Sequence, residues 1–200
     1  MSTAGKTAAT AVPLHPLLAE RWSPRAFDPR HKLADTKLTA LLEAARWAPS
    51  ASNTQPWRFA VTRRGTTAHA AVFDALAPGN QAWAQAASAL IVAAAETNGP
   101  DGVERPWAVY DTGQAVAHLL VQAQHEGLAV HQMGGFDRDR LAAALPPRVT
   151  LVAVLAIGRR DNPARLTEPF AARETAARDR LPLETLQLAV DPGSAVPIVA

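Results

Sequence analysis

Two arginines flank a serine in RWSPRAFDP at residues 21–29, so that Arg21 and Arg25 bracket Ser23 in a chain that Pro24 stiffens. Planar guanidinium forks beside a small hydroxyl donor can bind phosphate bidentately. Arginines next to prolines also suit an ordinary solvated surface. A second group, PSASNTQPWRF at 49–59, gathers Pro49, Ser50, Ser52, Asn53 and Gln55. Its hydroxyls and amides donate and accept at once, the mixed edge that a flat heteroaromatic ring with carbonyls and ring nitrogens requires. The same residue types dominate plain turns after a helix. HQMGGF at 131–136 places Gly134 and Gly135 after an apolar run, where backbone N–H groups can approach a ligand with no Cβ in the way and Met133 can pack on a ring face. A tight turn accounts for the pair equally. IGRR at 157–160 ends a buried run in Gly158, and Arg159 or Arg160 either reaches a phosphate or marks the strand's exit.

Other chemistries lack their residues. With Cys 0, disulfides, thiolate metal sites and cysteine nucleophiles are excluded, as fits a reducing cytoplasm. The chain has no Walker, Rossmann, nucleophile-elbow or His-Glu-x-x-His motif. His118, His125 and His131 come without a carboxylate at ligand spacing, so they read as ordinary helix and strand histidines, with no metal. The carboxylates are scattered, and no acid and base pair stands out. Lys+Arg 20 against Asp+Glu 18 leaves a formal +2 without a basic block, which argues against nucleic acid as partner. The five tryptophans, Trp22, Trp47, Trp57, Trp83 and Trp107, read mainly as core or interface anchors, one or two of them able to wall a pocket.

The elements that position these groups follow from hydrophobic spacing. Asp35 can cap a helix carrying Leu38, Leu41, Leu42 and Ala45, stopped by Pro49; RFAVTR then alternates as a strand up to Gly65. Residues 67–76 suit a helix, 80–87 a short helix or turn, and Leu90, Ile91 and Val92 a fully buried strand. A long helix over about 104–126 carries Val116, Leu119, Leu120 and Ala123, and Gly127 is its stop. Leu128–Met133 reads as a strand, Asp137 as the cap of a small helix, and Val149–Ile157 as a second buried strand. With 200 residues and 48% hydrophobic content, a single core is the expectation, in an α/β or α+β class. Residues 1–13 read as a flexible extension without signal-peptide character, and SALIVAAA is far too short to span a bilayer. Residues 161–200 are too charged and proline-rich to build a core, so they are disordered or laid across another surface.

Taken in order, the motifs resemble the FMN-dependent nitroreductase family: Arg-x-Ser-x-Arg-x-Phe, Ala-Pro-Ser-x-x-Asn-x-Gln-Pro-Trp, Asn-Gln-x-Trp before a strand, Gly-Gly-Phe, and a strand ending Gly-Arg. The likeness covers about residues 14–160 and continues loosely into the tail. It implies an α+β, three-layer fold with a mixed, mostly antiparallel sheet flanked by helices. It also implies a homodimer, in which a domain-swapped C-terminal extension, 161–200, packs on the partner subunit and FMN lies at the interface.

The resemblance further implies that Arg21, Ser23 and Arg25 hold the FMN phosphate and ribityl chain, with Arg159, after Gly158, approaching the same phosphate. Trp22 stands where many members carry a second arginine or a histidine. Pro49, Ser50, Ser52, Asn53 and Gln55 would reach the ring or ribityl group, several of them from the second subunit. Asn80 matches a ring-edge amide, and Trp83 stands where some members have lysine. Gln132, Met133, Gly134 and Gly135 would lie along the isoalloxazine. The implied activity is ping-pong reduction: NADH or NADPH gives hydride to the flavin, and a nitroaromatic, quinone, enone or related small acceptor then takes two electrons. The cofactor carries that chemistry, so no catalytic side chain is expected. Trp83, Trp107, Tyr110, His131 and Phe136 are candidates for the pocket wall. A flavin sensor or store without turnover is the alternative, and an interaction module with no flavin a third.

Overall fold

The computed structural model describes residues 6–186 and 188. After one helical turn, α1 (Pro16–Ala19), the residues Asp35–Arg46 form α2, which buries Leu41 and Ala45. The expectation that Asp35 caps α2 is corrected: Ala34 is the cap position, without a side-chain bond, and Asp35 is the first helical residue. Its carboxylate pairs with Arg63 on the following strand, a partner too distant in sequence for local capping rules to reveal. Strand β1 (Trp57–Arg63) leads to α3 (Thr67–Asp74), whose first turn is capped by Thr66 Oγ1 accepting from the His69 N–H at 3.2 Å. Helix α4 (Pro78–Ala84) opens with a proline in its first turn, where a missing N–H costs nothing.

Next come β2 (Ala89–Ala95), α5 (Ala108–His125), β3 (Ala129–Met133), α6 (Arg138–Ala142), β4 (Thr150–Gly158) and α7 (Phe170–Thr175). Helix α5 begins four residues later than its apolar spacing suggests. The stretch before it closes on itself instead: Asn98 bridges Glu104, and the Arg105 N–H donates to Thr97 O at 2.7 Å. Its other end follows the sequence. Gly127 takes φ +70, its N–H donates to Gln124 O, and the Leu128 N–H reaches back to Ala123 O at 2.8 Å, so the last carbonyls of α5 find partners.

The four strands pair in the order β1-β2-β4-β3, every pairing antiparallel. Strand β2 lies inside the sheet, and all seven of its residues are buried. Ile91 and Ala93 join Leu41, Val116, Leu119 and Leu155 on one face, whereas Leu90, Val92 and Ala94 join Phe27, Leu76, Trp83, Met133 and Val154 on the other. Both faces of this strand are dry, which is why its sequence shows no polar alternation. An antiparallel sheet between two helical layers settles the class as α+β.

Beyond residue 161, Leu166 and Phe170 pack on the second cluster, and the buried Glu174 binds the backbone of residues 25 and 26. Arg178 Nη1 donates to Lys6 O and to Ala19 O, both at 2.8 Å. Within this chain one carboxylate ties the tail to residues 25 and 26, and one guanidinium ties it to Lys6 and Ala19. Residues 187 and 189–200, on which the expected contact with a partner also falls, lie outside the described residues. At the other end of the chain, Lys6 is buried and donates to Arg173 O of α7 and to Ala176 O just beyond it, while residues 1–5 lie outside the described residues.

Candidate functional site

The segment Arg21–Arg25 runs in from α1 to a pinned Phe27. Phe27, 2% exposed, bridges Arg160, while the Asp28 N–H donates to Arg159 O and the Asp161 N–H to Ala26 O, each at 2.9 Å. On one side the segment meets β3, where His131 Nδ1 lies 3.0 Å from Pro24 O. A carbonyl only accepts, so Nδ1 carries the proton and Nε2 remains the acceptor. Burial pushes the imidazole down to about 4, outweighing the favourable bond to Pro24, so His131 is neutral at ordinary pH. The Trp83 ring packs on it with centroids 4.5 Å apart. On the other side the segment meets α7: Glu174 accepts the Arg25 N–H on both oxygens at 2.9 Å and the Ala26 N–H at 3.0 Å.

These contacts gather cations. Burial, then Arg178 and Arg180, pull Arg21 below its ordinary value; burial and Arg173 act the same way on Arg25, against the raising influence of Glu174. None of the ion pairs among the described residues uses Arg21, Arg25, Arg178 or Arg180. Arg21, Arg25 and Arg178 are partly desolvated and Arg180 is exposed; guanidiniums gathered without ion pairs are the electrostatic form of an anion site. Arg178 and Arg180 were missed in the sequence, where the tail offers only an RDR triplet among scattered charges. Trp22, half-buried, belongs to the same neighbourhood, with the Lys6 ammonium 4.9 Å above its ring centroid.

Arg159, expected at the same phosphate, pairs at 2.6 Å with Asp28, whose carboxyl it holds far below the usual carboxylate range, and its charge is felt by His31. A Cβ on Gly158 would stand 2.9 Å from Phe27 Cδ1 and 3.3 Å from Ser88 N, so packing against Phe27 demands the glycine. The Met133 side chain is 2% exposed in the core, because Met133 continues the inward alternation of β3, which leaves Gln132 outside.

Gly134 and Gly135 differ. A Cβ on Gly135 would sit 3.2 Å from Asn80 Nδ2 and 3.3 Å from Ala77 Cβ, whereas one on Gly134 would meet nothing within 4 Å. Gly135 lets α4 close in: Asn80 Nδ2 and the Ala77 N–H both donate to its carbonyl, at 2.9 and 3.0 Å. Gly134 leaves its backbone accessible. Trp83 and Phe136, proposed as pocket walls, both pack on the second core cluster, and Trp83 is 2% exposed because Phe27 and His131 enclose its ring. Trp83 still floors a groove of about 330 Å³ rimmed by Arg25, Gln85 and Arg165.

The loop from Pro49 to Gln55 is built differently. Ser52, Asn53 and Gln55 all take positive φ, at 50, 54 and 46, which side-chain-bearing residues adopt at a cost. Ser50 holds the turn, with its Oγ accepting from the Gln55 N–H and its carbonyl from the Asn53 N–H, both at 3.0 Å. Asp111 of α5, 3% exposed, accepts the Ala51 N–H at 3.0 Å. The side chains of Ser52, Asn53 and Gln55 are left to solvent. Beside the loop lies a cavity of about 260 Å³ lined by Ser52, Thr54, Val103, Trp107 and Asp111, with Trp107 in edge contact with the exposed Tyr110.

The structure thus brings the expected residues into two groups. Arg21–Arg25, His131, Gln132 and the Gly-Gly turn border β3, while 49–55 precede β1, and these are the two outer strands of the sheet. The register places Met133 across Val154 and Val92 from Ala60, in the middle of β1, and the two outer strands stand three strand intervals apart, about 14 Å.

An antiparallel sheet between helical layers, with an arginine-rich segment at one edge and a polar loop at the other, defines the chain as an α+β protein with a candidate ligand site. The chain belongs to the nitroreductase family, whose model matches residues 18–159. It is 42% identical over 136 residues to an uncharacterized 15.4 kDa protein of Mycolicibacterium smegmatis, covering 64% of this chain and 91% of that one. It is 30% identical over 182 residues to an NADH dehydrogenase of Thermus thermophilus, covering 76% and 83%. Among solved structures it resembles an oxidoreductase containing FMN, with TM-score 0.85, 33% identity and coverage of 92% of this chain and 95% of that one.

The residues present fit FMN. Arg21, Arg178 and Arg180 suit a phosphate, the accessible Gly134 suits close approach of a flat ring, and the hydroxyl and amide groups of 50–55 suit its heteroatom edge. No helix of the described residues is long and apolar enough to cross a membrane, and they hold no cluster of metal-binding side chains.

Proposed function

We propose that this protein is an FMN-dependent oxidoreductase that acts as a homodimer, takes electrons from NADH or NADPH and reduces a nitroaromatic, quinone, enone or related small acceptor by ping-pong turnover. The carrying observation is the cluster of Arg21, Arg178 and Arg180: burial and the neighbouring cations pull Arg21 and Arg178 below their ordinary values, and none of the three has an ion-pair partner among the described residues. A phosphate supplies the missing countercharge. When bound, FMN supplies hydride acceptance and two-electron transfer. The chain's own residues supply the setting: Arg21 and the arm arginines hold the phosphate, Ser23 and Arg25 the ribityl chain, and Gly134 and Asn80 border the ring.

Dimerisation is supported by the separation of the two groups. A ring lying along β3 is three strand intervals from the 49–55 loop of its own chain, so a second copy is the natural source of Ser50, Ser52, Asn53 and Gln55 at that ring. The exposed Trp47, Trp107 and Tyr110, 72%, 61% and 64% accessible, offer apolar surface near that loop for the copies to bury. The test is anaerobic. Purified protein is expected to be yellow, or to become so with FMN, and a nicotinamide is expected to bleach the flavin band, which a quinone or nitroaromatic restores. A colourless protein that takes up no FMN overturns the reading. One that holds FMN but is reduced by neither nicotinamide is a flavin carrier or sensor instead.

A further inference from the structure

Two buried carboxylates, from elements far apart in the chain, each hold the backbone of one half of the candidate site. Glu174 and Asp111 are both 3% exposed. Glu174 accepts two successive N–H groups from Arg25 and Ala26, 149 and 148 positions away, and Asp111 accepts the Ala51 N–H, 60 positions away. Neither forms an ion pair among the described residues. A buried carboxylate is costly unless its oxygens are satisfied, and here backbone N–H groups of the ligand-facing segments contribute to that satisfaction.

We infer that Glu174 and Asp111 are positioning residues for the two ends of the cofactor, Glu174 for its phosphate end and Asp111 for its ring end. The inference rests on the FMN reading above. Glu174 sits on α7, four residues before Arg178, and its bonds to residues 25 and 26 set the tail arginines against Arg21. It also stands as the acidic neighbour of Lys6 and Arg25 in a crowd of like charges, easing their repulsion before any anion arrives. Asp111 does nothing for that cluster. It ties down Ala51, at the start of a turn whose next residues hold a strained backbone. A loop with three left-handed residues needs an external hold to keep one shape.

Riboflavin, which lacks the phosphate, separates the two roles. Dissociation constants of FMN and riboflavin are measured by flavin fluorescence on the full-length protein, with far-UV circular dichroism to check folding. Glu174→Ala is expected to weaken FMN by roughly ten- to hundredfold, the scale of charge-assisted hydrogen bonds, and riboflavin far less, so the preference for FMN collapses. Glu174→Gln keeps one acceptor oxygen and is expected to recover part of that preference; it carries the test alone if the alanine variant does not fold. Asp111→Ala is expected to weaken both flavins by one common factor, with recovery in Asp111→Asn. A folded Glu174→Ala or Glu174→Gln protein that keeps the wild-type preference overturns the inference, as does an Asp111→Ala protein that binds both flavins normally. Wild-type protein that binds FMN no better than riboflavin overturns the FMN reading itself.

Discussion

The cationic edge and the polar loop reach comparable importance by opposite construction. Residues 21–27 are extended, tied to Arg159–Asp161 by backbone pairing, to β3 through His131 and to α7 through Glu174. Residues 50–55 carry three left-handed conformations, point their side chains into solvent and depend on Ser50 and Asp111 for their shape. One edge is completed within the chain; the other is preshaped but unfilled. In the proposed dimer, the half-site finished internally would hold the end of the ligand, and the one turned outward would reach a ligand held by another copy.

The largest effect separating the two edges is expected from charge removal. Arg21→Ala combined with Arg178→Ala should lower FMN affinity at least a hundredfold, since each charge-assisted bond contributes about 1.5–3 kcal/mol, with little change in riboflavin binding. Equal losses for both flavins would break the assignment of the phosphate to this edge. Next is the pH dependence of the cationic edge. His131 stays neutral down to about 4 when folded but protonates near its ordinary value of 6.5 when unfolded, so the unfolded chain binds more protons between these values. Stability should therefore fall as pH falls through that window, by about 3 kcal/mol in total. His31 and His69 are also lowered by burial and act in the same direction, so the urea midpoint of His131→Asn subtracted from that of wild type isolates the slope. Parallel curves would show that His131 does not anchor the segment.

Smaller effects sharpen the contrast. Gly158→Ala should destabilise the fold by about 1–3 kcal/mol, because the new methyl meets Phe27 at 2.9 Å and Ser88 backbone behind it. Its FMN loss should follow the stability loss, as Gly158 supports the clamp through Phe27 alone. Ser50→Ala should cost only about 0.5–1.5 kcal/mol in unfolding free energy by removing the acceptor of the Gln55 N–H. It should nevertheless impair flavin binding, since the loop presents its side chains through that turn. A Ser50→Ala protein with unchanged flavin affinity would remove the loop from the site.

Much of the scaffold is legible in the sequence because its causes are local. The unbroken run Leu90, Ile91 and Val92 announces an internal strand, and Gly127 announces the end of α5 by the left-handed conformation it adopts. The motif residues Arg21, Ser23, Asn53, Asn80 and Gly134 are legible as a set, through their order. What escapes are consequences of long-range contact. Arg178 and Arg180 look like solvated tail charges until Glu174 draws α7 onto residues 25 and 26. Arg159 looks free until Asp28, 131 positions away, is seen beside it. Met133 sits next to two glycines and reads as a ring contact, yet strand alternation turns its side chain inward.

The ammonium of Lys6 rests on the final carbonyls of α7, and Arg178 returns a bond to the carbonyl of Lys6. Lys6 and the tail therefore form one clasp beside Arg25, at the border proposed for the phosphate. A bulky fusion placed directly ahead of Lys6, or trimming that removes it, would loosen flavin retention while sparing the sheet. The position of a purification tag becomes an experimental variable in its own right.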